Sequence, residues 1–367
     1  MKVLLFQIYG DQRVYHLELT YSILSAARFL KDDPDDIRIV LAADAKNQRP
    51  DLPVEHLLMT PEMLHEWQMG GTYNHAIQAY ALHYAVQQFD APVILIDSDT
   101  IIKQHPRHMF DKIRPGRALM HASEGRLQDS IEWPEWRALI TRSGGTVGGG
   151  PVTPESVMFN AGVLGLDPQD APLMDDVKAA MRDIRDHSDM FTAVQLAASL
   201  VLGAGKTELS VCDEIVEHYW GGPRAYYHYQ MEQMFPGVLG GEGIADARIP
   251  LAALSQSPPV ALRHRIAARI VRLRRGAGPA YGSAYLAYRS AIFLHLSNPK
   301  LANVWATKAL NMLKWGVPDA QPHTADFQRF TPARLEAEIW MDGDLRKRWQ
   351  DYWSSNSTDS KASTASQ

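Results

Sequence analysis

Residues 93–102 carry the clearest pattern in the chain: Val93-Ile94-Leu95-Ile96, then Asp97-Ser98-Asp99, then Thr100-Ile101-Ile102. An unbroken apolar run of this kind fits a strand buried on both faces in the middle of a parallel sheet. Charges are not kept unpaired in such a core, so Asp97 and Asp99 mark where the strand leaves it. Upstream, Met1-Lys2-Val3-Leu4-Leu5-Phe6 predicts a first strand that ends at Gly10-Asp11. Residues 15–30 predict a helix, with Leu19, Ile23, Leu24, Ala27 and Leu30 at helical spacing. A second strand follows over 37–43, ending at Asp44. Strand, helix, strand is the opening of a layered α/β domain. Val54 opens a short strand, and residues 61–67 form a helical turn capped by Thr60 with Pro61 in its first turn. Residues 74–89 predict a helix with Ile77, Tyr80, Ala81, Tyr84 and Ala85 on one side, packing on the sheet beneath the acid pair.

After Thr100 the pattern predicts a short helix or turn over 106–113 and a strand over 117–121. Residues 123–155 change character. Trp133 and Trp136 precede Ser143-Gly144-Gly145-Thr146-Val147-Gly148-Gly149-Gly150-Pro151, which has too much backbone freedom for a regular element. An acceptor-binding lid and a mobile insert both fit. Residues 157–166 then read as a strand interrupted by Asn160 and Gly162. Either Asn160 bonds a ligand hydroxyl from the sheet rim while Gly162 admits a ligand close to the backbone, or the interruption is a bulge. Amphipathic helices are expected over 173–187 and 190–202, and a strand or loop over 211–216.

The last hundred residues differ in style. Residues 262–275 carry six arginines (263, 265, 269, 272, 274, 275) and an apolar face of Leu262, Ile266, Ile270 and Leu273. Such a helix either docks on the protein by that narrow face or meets a membrane surface or partner. Helices over 281–314 and 332–349 follow, the latter capped by Thr331, and a polar, serine-rich tail begins at 354. The expected organisation is a catalytic domain over 1–255, a helical extension over 256–353 and a disordered tail over 354–367.

Composition narrows the function classes. With 46% hydrophobic and 22% charged residues, the 367-residue chain is globular and long enough for one large domain plus an appendage. A net charge of −5 gives no reason to expect nucleic acid as a partner. The lone Cys212 excludes an intrachain disulfide and suits a reducing compartment. No apolar run is long enough to span a membrane, and the first strand is broken too soon for a secretory signal. A cytoplasmic location is expected, with peripheral attachment to the inner face of the membrane left open. The glycines form neither a dinucleotide fingerprint nor a P-loop.

Two carboxylates one residue apart at the end of a rigid strand can share a hard divalent cation. The same string also fits an aspartyl-phosphate-type phosphatase with Asp97 as nucleophile, or an ordinary turn. The phosphatase reading needs a further acid pair at strand ends, for which Asp175-Asp176 is the evident candidate. His218 opens His218-Tyr219-Trp220-Gly221-Gly222-Pro223-Arg224. Its imidazole can join two carboxylates on a cation, manganese especially, or be structural in an aromatic loop. Arg224 can meet a phosphate oxygen. His75 and His83 are read as helix residues, not ligands.

Taken in order, Ile94-Leu95-Ile96-Asp97-Ser98-Asp99-Thr100, Phe159-Asn160-Ala161-Gly162-Val163 and His218 through Arg224 resemble three motifs of one family. They are the DxD strand, the FN[SA]GV segment and the HxxGxxK loop of retaining sugar-nucleotide glycosyltransferases of the glycogenin and lipopolysaccharide galactosyltransferase type (family 8-like). The resemblance spans about residues 93–224, and the first strand with its loop extends it to the N-terminus. It implies the GT-A nucleotide-diphospho-sugar transferase fold, α/β with a mixed, mostly parallel sheet and a helical C-terminal extension. It also implies a metal-dependent hexosyltransferase that moves a sugar from a UDP-sugar to an acceptor hydroxyl, with retention. The cation would be Mn²⁺ or Mg²⁺, held by Asp97, Asp99 and His218. Asp97, Ser98, Asp99 and Gly221 would contact the nucleotide, Asp11 and Tyr15 the base, and Arg224 the β-phosphate. Asn160, Asp189, Gln195 and Arg224 would be the catalytic group, Asn160 reaching toward donor sugar or acceptor. The acceptor would be a carbohydrate, a lipid-linked sugar or a protein.

Two departures stand out. No Lys or Arg lies between Gly70 and Thr100, where the family carries one beside the donor sugar. Arginine at 224 replaces a mobile ammonium with a planar fork. The first departure also leaves room for a non-catalytic protein that keeps the fold.

Overall fold

The computed structural model describes residues 1–31, 36–130, 132–203, 207–221, 223–247, 252–316 and 325–356. Among them the strands are β1 (Lys2–Ile8), β2 (Ile37–Ala43), β3 (Glu55–Leu58), β4 (Val93–Ile96), β5 (Thr100–Ile102), β6 (Arg117–Met120) and β7 (Ser123–Arg126). They continue with β8 (Thr146–Val147), β9 (Gly150–Pro151), β10 (Val157–Phe159), β11 (Val163–Leu166), β12 (Glu208–Val211) and β13 (Val216–His218). The helices are α1 (Arg13–Leu30), α2 (Pro61–Trp67), α3 (Ile77–Phe89), α4 (Arg107–Phe110), α5 (Trp133–Arg142), α6 (Leu173–His187) and α7 (Ala193–Gly203). After these come α8 (Arg224–Met234), α9 (Leu262–Arg275), α10 (Pro279–Leu294), α11 (Pro299–Gly316), α12 (Pro332–Leu335) and α13 (Gly343–Ser355).

A seven-stranded sheet in the order β12-β6-β11-β4-β1-β2-β3 forms the centre of the first unit. β11 runs antiparallel to both of its neighbours, and the other pairings are parallel. This is the mixed, mostly parallel sheet flanked by helices that the sequence predicts, with a helical C-terminal extension beyond it. Val93, Ile94, Leu95 and Ile96 are fully buried between β1 and β11, which explains why β4 has no polar alternation.

Two compact units divide the chain: residues 1–219 with 235–252, and residues 220–234 with 253–367. Helix α8, which a boundary at 255 would place with the sheet, therefore clusters with the C-terminal helices. In the helical unit, Trp305, Phe327, Phe330 and Trp349 are buried together. Arg329 donates to both carboxylate oxygens of buried Glu338 at 2.5 and 2.6 Å, so this interior charge is paired.

Three expectations are corrected. The glycine run at 143–151 is not irregular: β8 and β9 form a hairpin closed by Gly148 and Gly149, both at positive φ (56° and 78°). Two central residues at positive φ are what a tight hairpin turn demands, so the glycines make the element instead of dissolving it. Trp136 of α5 is buried in the core there. The helix expected over 281–314 breaks between α10 and α11, where the Asn298 side chain accepts from the Leu301 N–H (3.0 Å) and Pro299 opens the new helix. The helix expected over 332–349 is likewise two, α12 and α13, and α13 runs on to Ser355. The rest of the expected tail, 357–367, lies outside the described residues.

Candidate metal centre

Asp97 continues β4 by one bond, its N–H donating to the Gly162 carbonyl at 2.9 Å. Its Oδ1 accepts from Gln78 Nε2 of α3 at 2.5 Å, so this helix does support the acid pair from below. The Thr100 hydroxyl donates to the Asp97 carbonyl (2.8 Å) and closes the turn on which Asp99 sits, buried.

The third member arrives through a short antiparallel ribbon. β5 and β13 pair so that His218 lies opposite Thr100, next to Asp99. The Tyr219 N–H donates to the Asp99 carbonyl at 3.0 Å and extends the ladder past the acid. His218 Nε2 thereby stands 3.2 Å from Asp99 Oδ1, although 119 positions separate the two residues. One ligand atom each from Asp97, Asp99 and His218 lies within 4.8 Å of the others.

Asn160 decides how the imidazole is presented. Its Oδ1 accepts from the Gly162 N–H (2.9 Å) and meets His218 Nδ1 at 2.8 Å. An oxygen that already accepts from an amide can only accept from the ring, so Nδ1 carries the hydrogen. In the neutral imidazole, Nε2 then points a lone pair at a carboxylate oxygen. Two lone pairs at that distance repel unless a proton or a cation lies between them. Two carboxylates with one imidazole suit Mn²⁺ or Mg²⁺, and the second ring nitrogen is held as metal-ligating histidines generally are. The residues present fit a divalent cation.

Gly162 has a role that differs from the one expected. A Cβ on it would fall 2.3 Å from His218 Nδ1 and 2.6 Å from Cε1. What approaches its backbone is the imidazole of this chain. Asn160 is likewise buried and engaged on the protein side. Its Nδ2 donates to Glu124 Oε1 (2.8 Å), and Glu124 Oε2 accepts from Gln195 Nε2 (2.7 Å). Gln195, Glu124, Asn160 and His218 thus form one hydrogen-bonded line that aims Nε2 at Asp99. Asp189 takes no part in it: the residue is exposed and pairs with Arg185 at 3.3 Å. Gly221 and Arg224 belong to the helical unit, where the Arg224 N–H donates to the Gly221 carbonyl (3.1 Å) at the start of α8. Asp11 and Tyr15 are exposed beside the turn that follows β1.

Residues that sequence reasoning missed also border the cluster. Gln78 and Glu124 lie on elements whose polar positions look like solvated faces. Glu18 is an acid inside a helix, yet it is fully buried and accepts from the Ser98 hydroxyl at 3.4 Å. His121 donates to the Val216 carbonyl (2.9 Å) and sets its ring edge-on to His218, with centroids 5.5 Å apart. The Asp175-Asp176 pair that a phosphatase would need at a strand end lies instead in the first turn of α6, with Asp175 on Lys178 at 2.9 Å.

Burial lifts the Asp97 carboxyl to about 6; His218 opposes this, Asp99 adds to it, the Gln78 hydrogen bond opposes it and Glu18 adds a little. A carboxyl whose folded value lies above its unfolded one holds its proton longer in the folded state. Stability is therefore lost as pH rises from about 4 to 6, and the deficit persists above that. In the presence of a chelator at pH 7.5, Asp97→Asn should raise stability by about 1–2 kcal/mol, a shift of several degrees in melting temperature. Thermal melts at pH 7.5 and 4.5 check this: the gain should be largest at the higher pH and shrink at the lower.

No protein-family model matches the chain, and no curated protein matches it significantly. It is similar to the solved structure of mouse xyloside xylosyltransferase 1 in the apo form, at 13% identity over 58% of this chain and 85% of that one, with a TM-score of 0.38. It is also similar to the galactosyltransferase LgtC in complex with donor and acceptor sugar analogs (12% identity, 66% and 96% covered, TM-score 0.40). A third is a glycosyltransferase involved in glycosylation of the major capsid of PBCV-1 (11% identity, 63% and 98% covered, TM-score 0.35). Likenesses this weak decide nothing about activity.

Proposed function

We propose that the protein is a divalent-cation-dependent glycosyltransferase with a GT-A-like fold, moving a sugar from a UDP-sugar to an acceptor hydroxyl with retention. The observation that carries this reading is the tautomer-locked His218 facing two strand-end acids, a donor set that fits a divalent cation. When bound, the cation supplies positive charge to the departing nucleotide diphosphate. The chain's own residues do the rest. Asp97, Asp99 and His218 hold the cation and the phosphate side of the nucleotide. Tyr15 stacks on the base and Asp11 bonds its edge. Arg224 adds a fixed positive charge for the β-phosphate as the bond to the anomeric carbon breaks.

The acceptor oxygen forms its bond to that carbon on the face the phosphate leaves, and the acceptor proton passes to a leaving phosphate oxygen. Glu124 is committed to Asn160 and Gln195, and the two strand-end acids to the cation, and none of these three is assigned as a covalent nucleophile. Asn160 and Gln195 act here as positioning residues.

The test is UDP release from a panel of UDP-sugars with and without Mn²⁺. Release from at least one donor, abolished by chelator and by Asp99→Ala, supports the reading. Mn²⁺-dependent UDP binding without release from any donor or acceptor mixture would instead assign a non-catalytic binding protein.

A further inference from the structure

Helix α9 does not dock by its aliphatic stripe, one of the two readings its sequence allows. Leu262, Ile266, Ile270 and Leu273 are not packed on the protein but exposed, from 49% at Ile270 to 70% at Leu262. The residues that dock are His264 and Ala268, both buried, with Val271 partly buried against the core of the helical unit. At 100° per residue, the docked positions and the exposed aliphatic stripe fall on opposite sides of the helix. Burial and the neighbouring Arg263 and Arg289 keep the His264 imidazole below its ordinary pKa.

The arginines are arranged around the stripe. Arg263 and Arg274 flank it on one side, and Arg265, Arg269 and Arg272 on the other. Arg275 lies on the docked side of the helix and is paired with Asp326 at 2.9 and 3.0 Å. Arg263 lies over the ring of Phe293, itself 56% exposed, at 3.8 Å. The helix contains no acid, and Arg265, Arg269, Arg272 and Arg274 have no acidic partner among the described residues.

We propose that this outward face of α9 is a docking surface for an anionic lipid bilayer. Four aliphatic side chains in a row suit the boundary between headgroups and acyl chains. The flanking arginines can lay their stems along that boundary and hold their charges among anionic headgroups. A nucleic acid would use the charges and leave the stripe in water, whereas a bilayer uses both. No helix among the described residues is long and apolar enough to cross a membrane, so α9 would lie on the surface. The inference stands apart from the proposed sugar transfer.

Co-sedimentation of the full chain with phosphatidylcholine vesicles, and with vesicles containing phosphatidylglycerol, tests it at low salt and at 1 M NaCl. Binding to the anionic vesicles, lost at high salt, is expected. Neutralising Arg265, Arg269 and Arg272 to Gln should weaken partition on the order of 100-fold. Ile266→Glu/Ile270→Glu should weaken it at least about 10-fold, and both positions are exposed enough to leave the fold intact. No sedimentation with anionic vesicles overturns the proposal, as does binding that the double Glu variant leaves unchanged. Self-association abolished by the double variant, without vesicle binding, overturns it in favour of a second copy of this chain.

Discussion

His218→Ala is expected to lower the affinity for Mn²⁺ together with UDP by at least about 100-fold, while the protein stays folded. Changes to groups that merely orient a ligand cost about 10–100-fold, so removing a ligand should exceed that range. Asn160 holds the ring at 2.8 Å and presents Nε2 3.2 Å from Asp99, and an alanine leaves no nitrogen at that position. Asp99→Ala should behave in the same way. Calorimetry of UDP binding with Mn²⁺ and with chelator measures the effect. Equal, metal-dependent affinity in wild type and both variants would remove the cluster from the function altogether.

Gly162→Ala should be nearly as damaging, although it adds only a methyl group. The new carbon would have to occupy space 2.3 Å from His218 Nδ1 and 2.8 Å from Cγ. The His218 backbone is fixed in the β13 ladder and its ring is tethered to Asn160, so the imidazole can make room only by giving up the Asn160 hydrogen bond and turning away from Asp99. Overpacking of this kind costs about 1–3 kcal/mol, and displacing an oriented ligand another ~10–100-fold in metal affinity. Gly165→Ala is the control. Its Cβ would collide with Ile113 Cδ1 at 2.5 Å and Leu119 Cβ at 3.0 Å, inside the sheet core and away from the cluster. Both variants should melt early, but only Gly162→Ala should lose the rise in melting temperature on adding Mn²⁺.

Much of the fold was legible because the sheet's interior strands leave an unmistakable trace. β1, β2 and β4 are buried on both faces and appear as continuous apolar runs, and α2 announced itself through Thr60, which caps the Met63 N–H at 3.2 Å. The misjudged stretches share one cause. Glycine and proline punctuate chains without saying what they punctuate. Gly148-Gly149 close a hairpin, Pro299 opens a helix, and Gly162 makes room for a ring.

The linear chain determined on its own that a strand ends in Asp97 and Asp99, since four buried aliphatic residues cannot continue into two charges inside a core. It likewise determined that α9 is amphipathic and basic, because those properties follow from period and composition. What it could not decide was which side of α9 faces water, or what Asn160 and Gly162 are for. Those answers depend on neighbours distant in sequence. The β5–β13 register delivers His218, Glu124 and Gln195 fix the Asn160 amide, and the docked His264 and Ala268 turn the aliphatic stripe outward. A side chain's role is set by what occupies the volume beside it, and only the folded arrangement assigns that volume.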